Sequence, residues 1–198
     1  MRHRTGSQRR AVVAVFLAPL LAPLLDLLFA LLMAFAAMPV RAADAVLQAP
    51  NVVALSPRLV TSGQPTAAAL AQLRAQGFGA VIYLAPPTVS DAVPGEAEIV
   101  RRQGLEFVNI PIAFGNPTEA DFTAFVEAMQ RLGHLKVLVH CQVNMRASSM
   151  AFLYRVVVGG EAPDKAYEDV AKVWSPQGPW KGLIDTQLKK AGITFEVY

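Results

Sequence analysis

From residue 51 onward, short apolar runs alternate with segments whose apolar residues recur at helical spacing. That alternation predicts an α/β fold, a mainly parallel central sheet flanked by helices. The runs NVVAL and RLVTSG read as one or two short entry strands ending at Gly63, after which Thr66 is placed to cap a helix, AAALAQLRAQ, stopped by Gly77. Ala80 to Leu84 (AVIYL) is a continuous apolar run, the pattern of a strand buried on both faces. APPTVSDAVPG, with its prolines, is a loop, GEAEIVRRQ a short helix stopped by Gly104, and LEFVNIPI a strand broken by Pro111.

The next segment carries the clearest helix signals. Thr118 stands at the N-cap, Glu119 and Asp121 lie in the first turn, Phe122, Phe125, Val126, Met129 and Leu132 form the apolar face, and Gly133 is the stop. LKVLVH, rich in β-branched residues, is a strand that runs without a linker into CQVNMR. A helix is expected from Ala147 to Val158, ended by Gly159 and Gly160. Two more are expected over Pro163 to Val173 and Pro179 to Ala191, and the tail ITFEVY reads as an edge strand.

Composition changes the picture at the N-terminus. The chain has 198 residues, 54% hydrophobic and 17% charged, too apolar for disorder. Much of the excess lies in residues 11 to 40, interrupted only by Asp26 and the prolines at 19, 23 and 39. A basic start (MRHRTGSQRR), this apolar stretch and the small-residue exit VRAADA match a secretory signal, with cutting allowed after Ala42 or Ala45. The alternative is an uncleaved anchor, because thirty apolar-rich positions can cross a hydrocarbon layer of ~30 Å. Residues 1–42 are therefore expected to be a signal peptide or anchor and 43–198 one domain. The domain is expected to be exported, periplasmic or secreted, touching the inner membrane only through an uncleaved leader.

The formal charge of +3 belongs to the leader. Arg2, Arg4, Arg9, Arg10 and Arg41 are five of the 18 basic groups and Asp26 one of the 15 acidic ones; without them, 13 basic groups face 14 acidic ones. No nucleic-acid partner is indicated. The single cysteine, Cys141, excludes an internal disulfide. Three histidines, one of them in the leader, cannot build a three-histidine or His-Cys zinc site, and no dinucleotide or Gly-Lys-Ser/Thr phosphate loop occurs. Neither metal nor cofactor is expected. Trp174 and Trp180, which flank SPQGP, read as a clamp of the C-terminal helices onto the core rather than a stacking platform.

Open α/β sheets bind ligands at the carboxyl ends of their strands, and Cys141 ends the most strand-like run immediately before a helix. The amides of residues 142 to 146 can curl into a nest at that helix N-terminus, a place for an anion. The same environment, with Arg146, favours thiolate over thiol. Arg146 supplies a planar fork that matches two oxygens of a phosphate-like group. Ser148 is placed to donate a hydrogen bond to the sulfur. A lone cysteine is also commonly a small buried hydrophobe; what sets this one apart is the joint order of strand, cysteine, tight loop, arginine and helix. His140 reads as a strand-end residue bonding the loop backbone rather than a general base.

VLVHCQVNMRAS resembles the signature loop of the cysteine-dependent protein tyrosine and dual-specificity phosphatases, and RLVTSGQPT, AVIYLAP and EFVNIPI follow the family order upstream. The resemblance spans about residues 51–160 and is nearest the small bacterial branch that includes beta-lactamase-hydrolase-like domains. It implies a protein-tyrosine-phosphatase-like fold and a phosphorylated substrate. It also implies attack by Cys141 on phosphorus, and oxyanion binding by Gln142, Val143, Asn144, Met145, Arg146 and Ser148. Three departures are visible. Four residues, not five, separate Cys141 from Arg146, as in rhodanese-like sulfurtransferases that carry a persulfide. Asn144 stands where glycine is common, which suits a left-handed residue. The family's acidic loop here reads IAFGNP and holds no carboxylate. Asp121 is then the first candidate for the general acid and Glu119 the second, with Asp91, Glu96 and Glu98 as further candidates. The alternatives to a phosphatase are a sulfurtransferase using a Cys141 persulfide and a non-catalytic oxyanion-binding pseudophosphatase.

Overall fold

The computed structural model describes residues 47–197. The expected leader over 1–42, with its cutting points, lies outside them. β1 (Val53–Ser56) and β2 (Leu59–Ser62) form an antiparallel hairpin across Pro57 and Arg58. β3 (Ala80–Tyr83), β4 (Glu106–Asn109) and β5 (Val137–His140) complete a five-stranded sheet in the order β1-β2-β5-β3-β4, parallel from β2 onward. The mainly parallel sheet expected from the sequence is thus the one found.

Side-chain alternation divides the central strands between two cores. Val137 and Val139 of β5 and Ala80 and Ile82 of β3 face one, while Leu138 and Val81 face the other. The second core is closed by α1 (Ala67–Leu70) through Leu70 and by α2 (Glu96–Arg101) through Val100. The first is closed by α3 (Glu119–Leu132), α4 (Met145–Leu153), α5 (Pro163–Ala171) and α6 (Gly178–Lys190), which contribute Phe125, Phe152, Tyr167 and Trp180. Truncating any one of these aromatics would cost about 3–5 kcal/mol.

Polarity returns at the carboxyl ends of the strands. Ser62, His140, Tyr83 and Asn109 stand side by side in register across β2, β5, β3 and β4. Asn109 Nδ2 donates to Tyr83 O and Ala85 O, fixing where the chain leaves β3.

Three expectations need adjustment. α-Helical geometry ends at Leu70 and the chain reaches Gly77 through tighter turns, in which Gln72 N bonds Ala69 O and Leu73 N bonds Leu70 O. Gly77, at φ +80°, still makes the stop, and Phe78 N closes back onto Leu73 O. The helix expected from Ala147 begins two residues earlier and finishes as a π turn, Tyr154–Val158. Over its described residues, 193–197, the tail is not a strand. Its alternating Ile193, Phe195 and Val197 pack onto the helix-side core, with Phe195 against Phe152 and Tyr167, so the period-2 pattern serves a helix surface instead of a ladder.

Candidate active site

Cys141 is the first residue after β5, and its amide donates to Ser62 O at 3.2 Å. The loop that follows is stitched to the segment after β2. Gln64 N donates to Gln142 O (2.9 Å), Val143 bridges Gly63, and Asn51 Nδ2 donates to Val143 O (3.0 Å). Position 63 must be glycine for this closeness: a Cβ there would meet Gln142 O at 2.7 Å and Pro50 Cβ at 2.9 Å. The SGQPT segment is therefore one wall of the loop.

Asn144 turns the chain. It is the N-cap of α4 with φ 72° and ψ −1°, left-handed as its side chain permits, and Nδ2 donates to Asn51 O (2.6 Å) and Thr61 Oγ1 (3.1 Å). Ser148 N is the first helix amide to reach a loop carbonyl, Asn144 O at 2.9 Å, so the amides of Met145, Arg146 and Ala147 precede any intrahelical partner. They end the helix with its positive dipole toward the loop. Ser148 Oγ donates to Met145 O (3.2 Å) rather than to the sulfur, because a serine in a first turn readily bonds back to a carbonyl of the preceding residues.

Arg146 is almost wholly buried. Nε donates to Ile112 O (3.0 Å), Nη1 to Gln142 Oε1 (3.4 Å), and the guanidinium carbon lies 5.1 Å from the centre of the Phe114 ring. No carboxylate among the described residues forms an ion pair with it. The loop bearing Phe114 is held by Trp180, whose Nε1 donates to Phe114 O (2.9 Å), while the Phe114 ring leans on both Trp174 and Trp180. The tryptophan clamp thus grips the IAFGNP loop as well as the core, and so supports the arginine from outside.

A buried polar trio begins at His140, the residue before the cysteine. His140 Nε2 meets Glu96 Oε1 at 2.7 Å, Glu96 Oε2 accepts from Gln64 Nε2 at 2.8 Å, and all three side chains are buried. His140 therefore bonds a carboxylate and not the loop backbone, and its ring stacks on Tyr83 with centroids 4.7 Å apart. The Tyr83 hydroxyl is pushed up to about 12, first by burial, then by the negative charges of Glu96 and Asp91, with Arg146 opposing and Cys141 adding. Cys141 itself is wholly buried.

The carboxylates named from the sequence separate clearly. Asp121 Oδ2 accepts from Thr118 N (2.8 Å) and Thr118 Oγ1 (2.7 Å), completing a capping box. Glu119 pairs with Lys190, and Glu98 pairs with Arg102 at 2.8 Å on the surface. Glu96 is held under His140. Asp91 alone of these bonds the loop between Cys141 and Arg146: its Oδ1 accepts from Gln142 Nε2 at 2.8 Å. Val143 is exposed and Met145 half-buried at the same loop. No group of three or more histidine, cysteine or acidic side chains among the described residues is placed to hold a metal ion. The Glu96–His140 and Asp91–Gln142 contacts, and the ring over Arg146, were not foreseen. An aromatic in a Gly-Asn-Pro loop was the one available hint.

Residues 41–178 match the family described as DSP-PTPase phosphatase fused to NAD+ kinase. A beta-lactamase hydrolase-like protein of Xylella fastidiosa (strain Temecula1) is 32% identical over 146 residues, 72% of this chain and 33% of the relative. The chain spans about a third of the length of that relative and about a quarter of a second one. Among solved structures, a candidate phosphatase of the DUF442 group from Shewanella putrefaciens CN-32 has a TM-score of 0.67 at 31% identity, covering 72% of this chain and 92% of that one. TpbA of P. aeruginosa, solved with phosphotyrosine, has a TM-score of 0.56 at 17% identity, covering 76% and 99%; so distant a likeness speaks to the fold alone.

Proposed function

The chain belongs to the DSP-PTPase phosphatase family, and from that premise we propose that it hydrolyses a phosphomonoester through a cysteinyl-phosphate intermediate. The observation that carries this reading is a charged arginine without a carboxylate partner among the described residues, buried beside the loop that joins Cys141 to the start of a helix. An ion left unpaired in a buried site calls for a counter-ion from outside. A phosphoryl group supplies one.

The sulfur of Cys141, as thiolate, attacks phosphorus and the ester oxygen leaves. The equatorial oxygens are met by the free amides at the head of α4 and by Arg146 Nη2, the guanidinium nitrogen without a partner among the described residues. Water then attacks phosphorus, the S–P bond breaks, and the thiolate is restored. The phosphoryl donor is a phosphoprotein or a small phosphorylated molecule. We place this chemistry outside the cytosol, on the strength of the basic, apolar and small-residue zones of residues 1–42.

The test is turnover of a generic aryl phosphate by the chain. Cys141→Ser should lower it by at least about a thousandfold. Activity surviving that change would contradict the nucleophile assignment. A second reading, sulfur transfer, is favoured by the four-residue spacing, which starts α4 at Met145 and sets Arg146 in its first turn. Thiosulfate-dependent thiocyanate formation, with a persulfide mass gain on Cys141 and no phosphate release, would establish it instead.

A further inference from the structure

A phosphatase needs a group that gives a proton to the departing oxygen, and the loop where the family keeps one, IAFGNP, has none. We propose that Asp91, from the proline-rich segment between β3 and α2, is that group, held in place by Gln142. This deepens the phosphatase reading above and rests on it.

The carboxylates nearest in sequence are otherwise engaged. Asp121 closes the capping box of α3, Glu119 pairs with Lys190, Glu98 pairs with Arg102, and Glu96 is buried between His140 and Gln64. Asp91 remains, and its contact points at the site. Its Oδ1 accepts from Gln142 Nε2 at 2.8 Å, and Gln142 follows the nucleophile directly. The same amide's Oε1 accepts from Arg146 Nη1 at 3.4 Å. Gln142 therefore ties the carboxylate and the oxyanion-binding arginine to one side chain. Asp91 sits on a turn fixed by Val89 N to Pro86 O (3.3 Å) and Ala92 N to Val89 O (3.1 Å). Its side chain is exposed and Oδ2 has no partner among the described residues, so one oxygen is positioned while the other is open to a substrate.

The proton balance is simple. As Cys141 sulfur bonds to phosphorus and the P–O bond to the alcohol breaks, Asp91 Oδ2–H passes its proton to the leaving oxygen, releasing the alcohol. Asp91, now a carboxylate, takes a proton from the water that attacks the cysteinyl phosphate. The S–P bond breaks, and phosphate, thiolate and protonated Asp91 are restored.

The experiment compares two esters on the same protein, an aryl phosphate with a good leaving group and an alkyl phosphate with a poor one. Asp91→Asn should lower kcat on the alkyl ester by about a hundred- to ten-thousandfold and on the activated aryl ester by less than about tenfold. A purely structural role would lower both equally. Gln142→Ala, which removes the positioning bond to Asp91 and also the contact to Arg146, should show the same leaving-group bias at smaller size on top of a loss common to both esters. Equal losses on both esters in Asp91→Asn, or the leaving-group bias arising in Asp121→Asn instead, would overturn the assignment while leaving the phosphatase reading intact. Wild-type protein that hydrolyses neither ester would overturn both.

Discussion

Helix α4 and its π-turn extension carry two arginines in opposite circumstances. Arg155, on the π turn, is neutralised: Nε and Nη2 bond both oxygens of Glu161 at 2.9 and 2.7 Å, and Nη1 bonds Asp169 at 2.8 Å. Arg146, in the first turn, has one carbonyl, one long contact to an amide and an aromatic ring. The first is a staple between the helix and α5. The second is fixed in place with its charge uncancelled, the state expected of a group that waits for an anion. Burial alone does not distinguish them, since both guanidinium groups are largely enclosed; the partners do.

Removing each arginine in turn tests the contrast at its strongest. Arg146→Ala should lower kcat/KM on an aryl phosphate by about 10²- to 10³-fold, and Arg146→Lys should recover only part of it, because an ammonium cannot present a planar fork. Arg155→Ala should leave kcat/KM within about threefold. Comparable losses from the two alanine variants would erase the distinction.

Stability should move the other way. Arg155→Ala strands Glu161 and Asp169, and a chemical denaturation series should show a loss of about 2–3 kcal/mol, below the usual cost of breaking a fully buried pair because Glu161 is partly exposed. A loss under about 0.5 kcal/mol would mean the network is ornamental.

The smallest effect is a pH dependence. Burial works against the Arg155 charge, and its hydrogen bonds to Glu161 and Asp169 outweigh that, holding it above its ordinary value. The bond from Arg155 holds Glu161 below the usual carboxylate range, and for Asp169 the bonds from Lys172 and Arg155 overcome the upward push of burial. Depressed carboxylates stabilise the fold above their unfolded values, and that contribution disappears as pH falls through the folded ones. Between about pH 5 and pH 2 the wild type should therefore lose stability more steeply than Arg155→Ala. Parallel curves would contradict the assigned shifts.

The local signals in the sequence were accurate where a short stretch of chain decides the outcome. Thr118 caps α3 with the acids in its first turn, Gly77 stops its segment at positive φ, and Asn144 takes the left-handed turn after the cysteine. Strands buried on both faces announced themselves by continuous apolar runs. The contacts that define the site were less visible, because parallel crossovers join residues far apart in the chain. His140 and Glu96 are 44 positions apart, and Gln142 and Asp91 are 51 apart. Periodicity says which face a residue occupies; it carries no record of which loop will arrive opposite. The tail shows the converse, a strand-like alternation satisfied by packing on helices.

The proposed phosphatase chemistry requires Cys141 to carry the phosphoryl group between the two half-reactions. Acid-quenched protein caught during turnover of an aryl phosphate, digested and analysed by mass spectrometry, should show one phosphoryl group on the peptide containing Cys141, absent in Cys141→Ser. Turnover with no adduct on that peptide, or with the group on another residue, would contradict it.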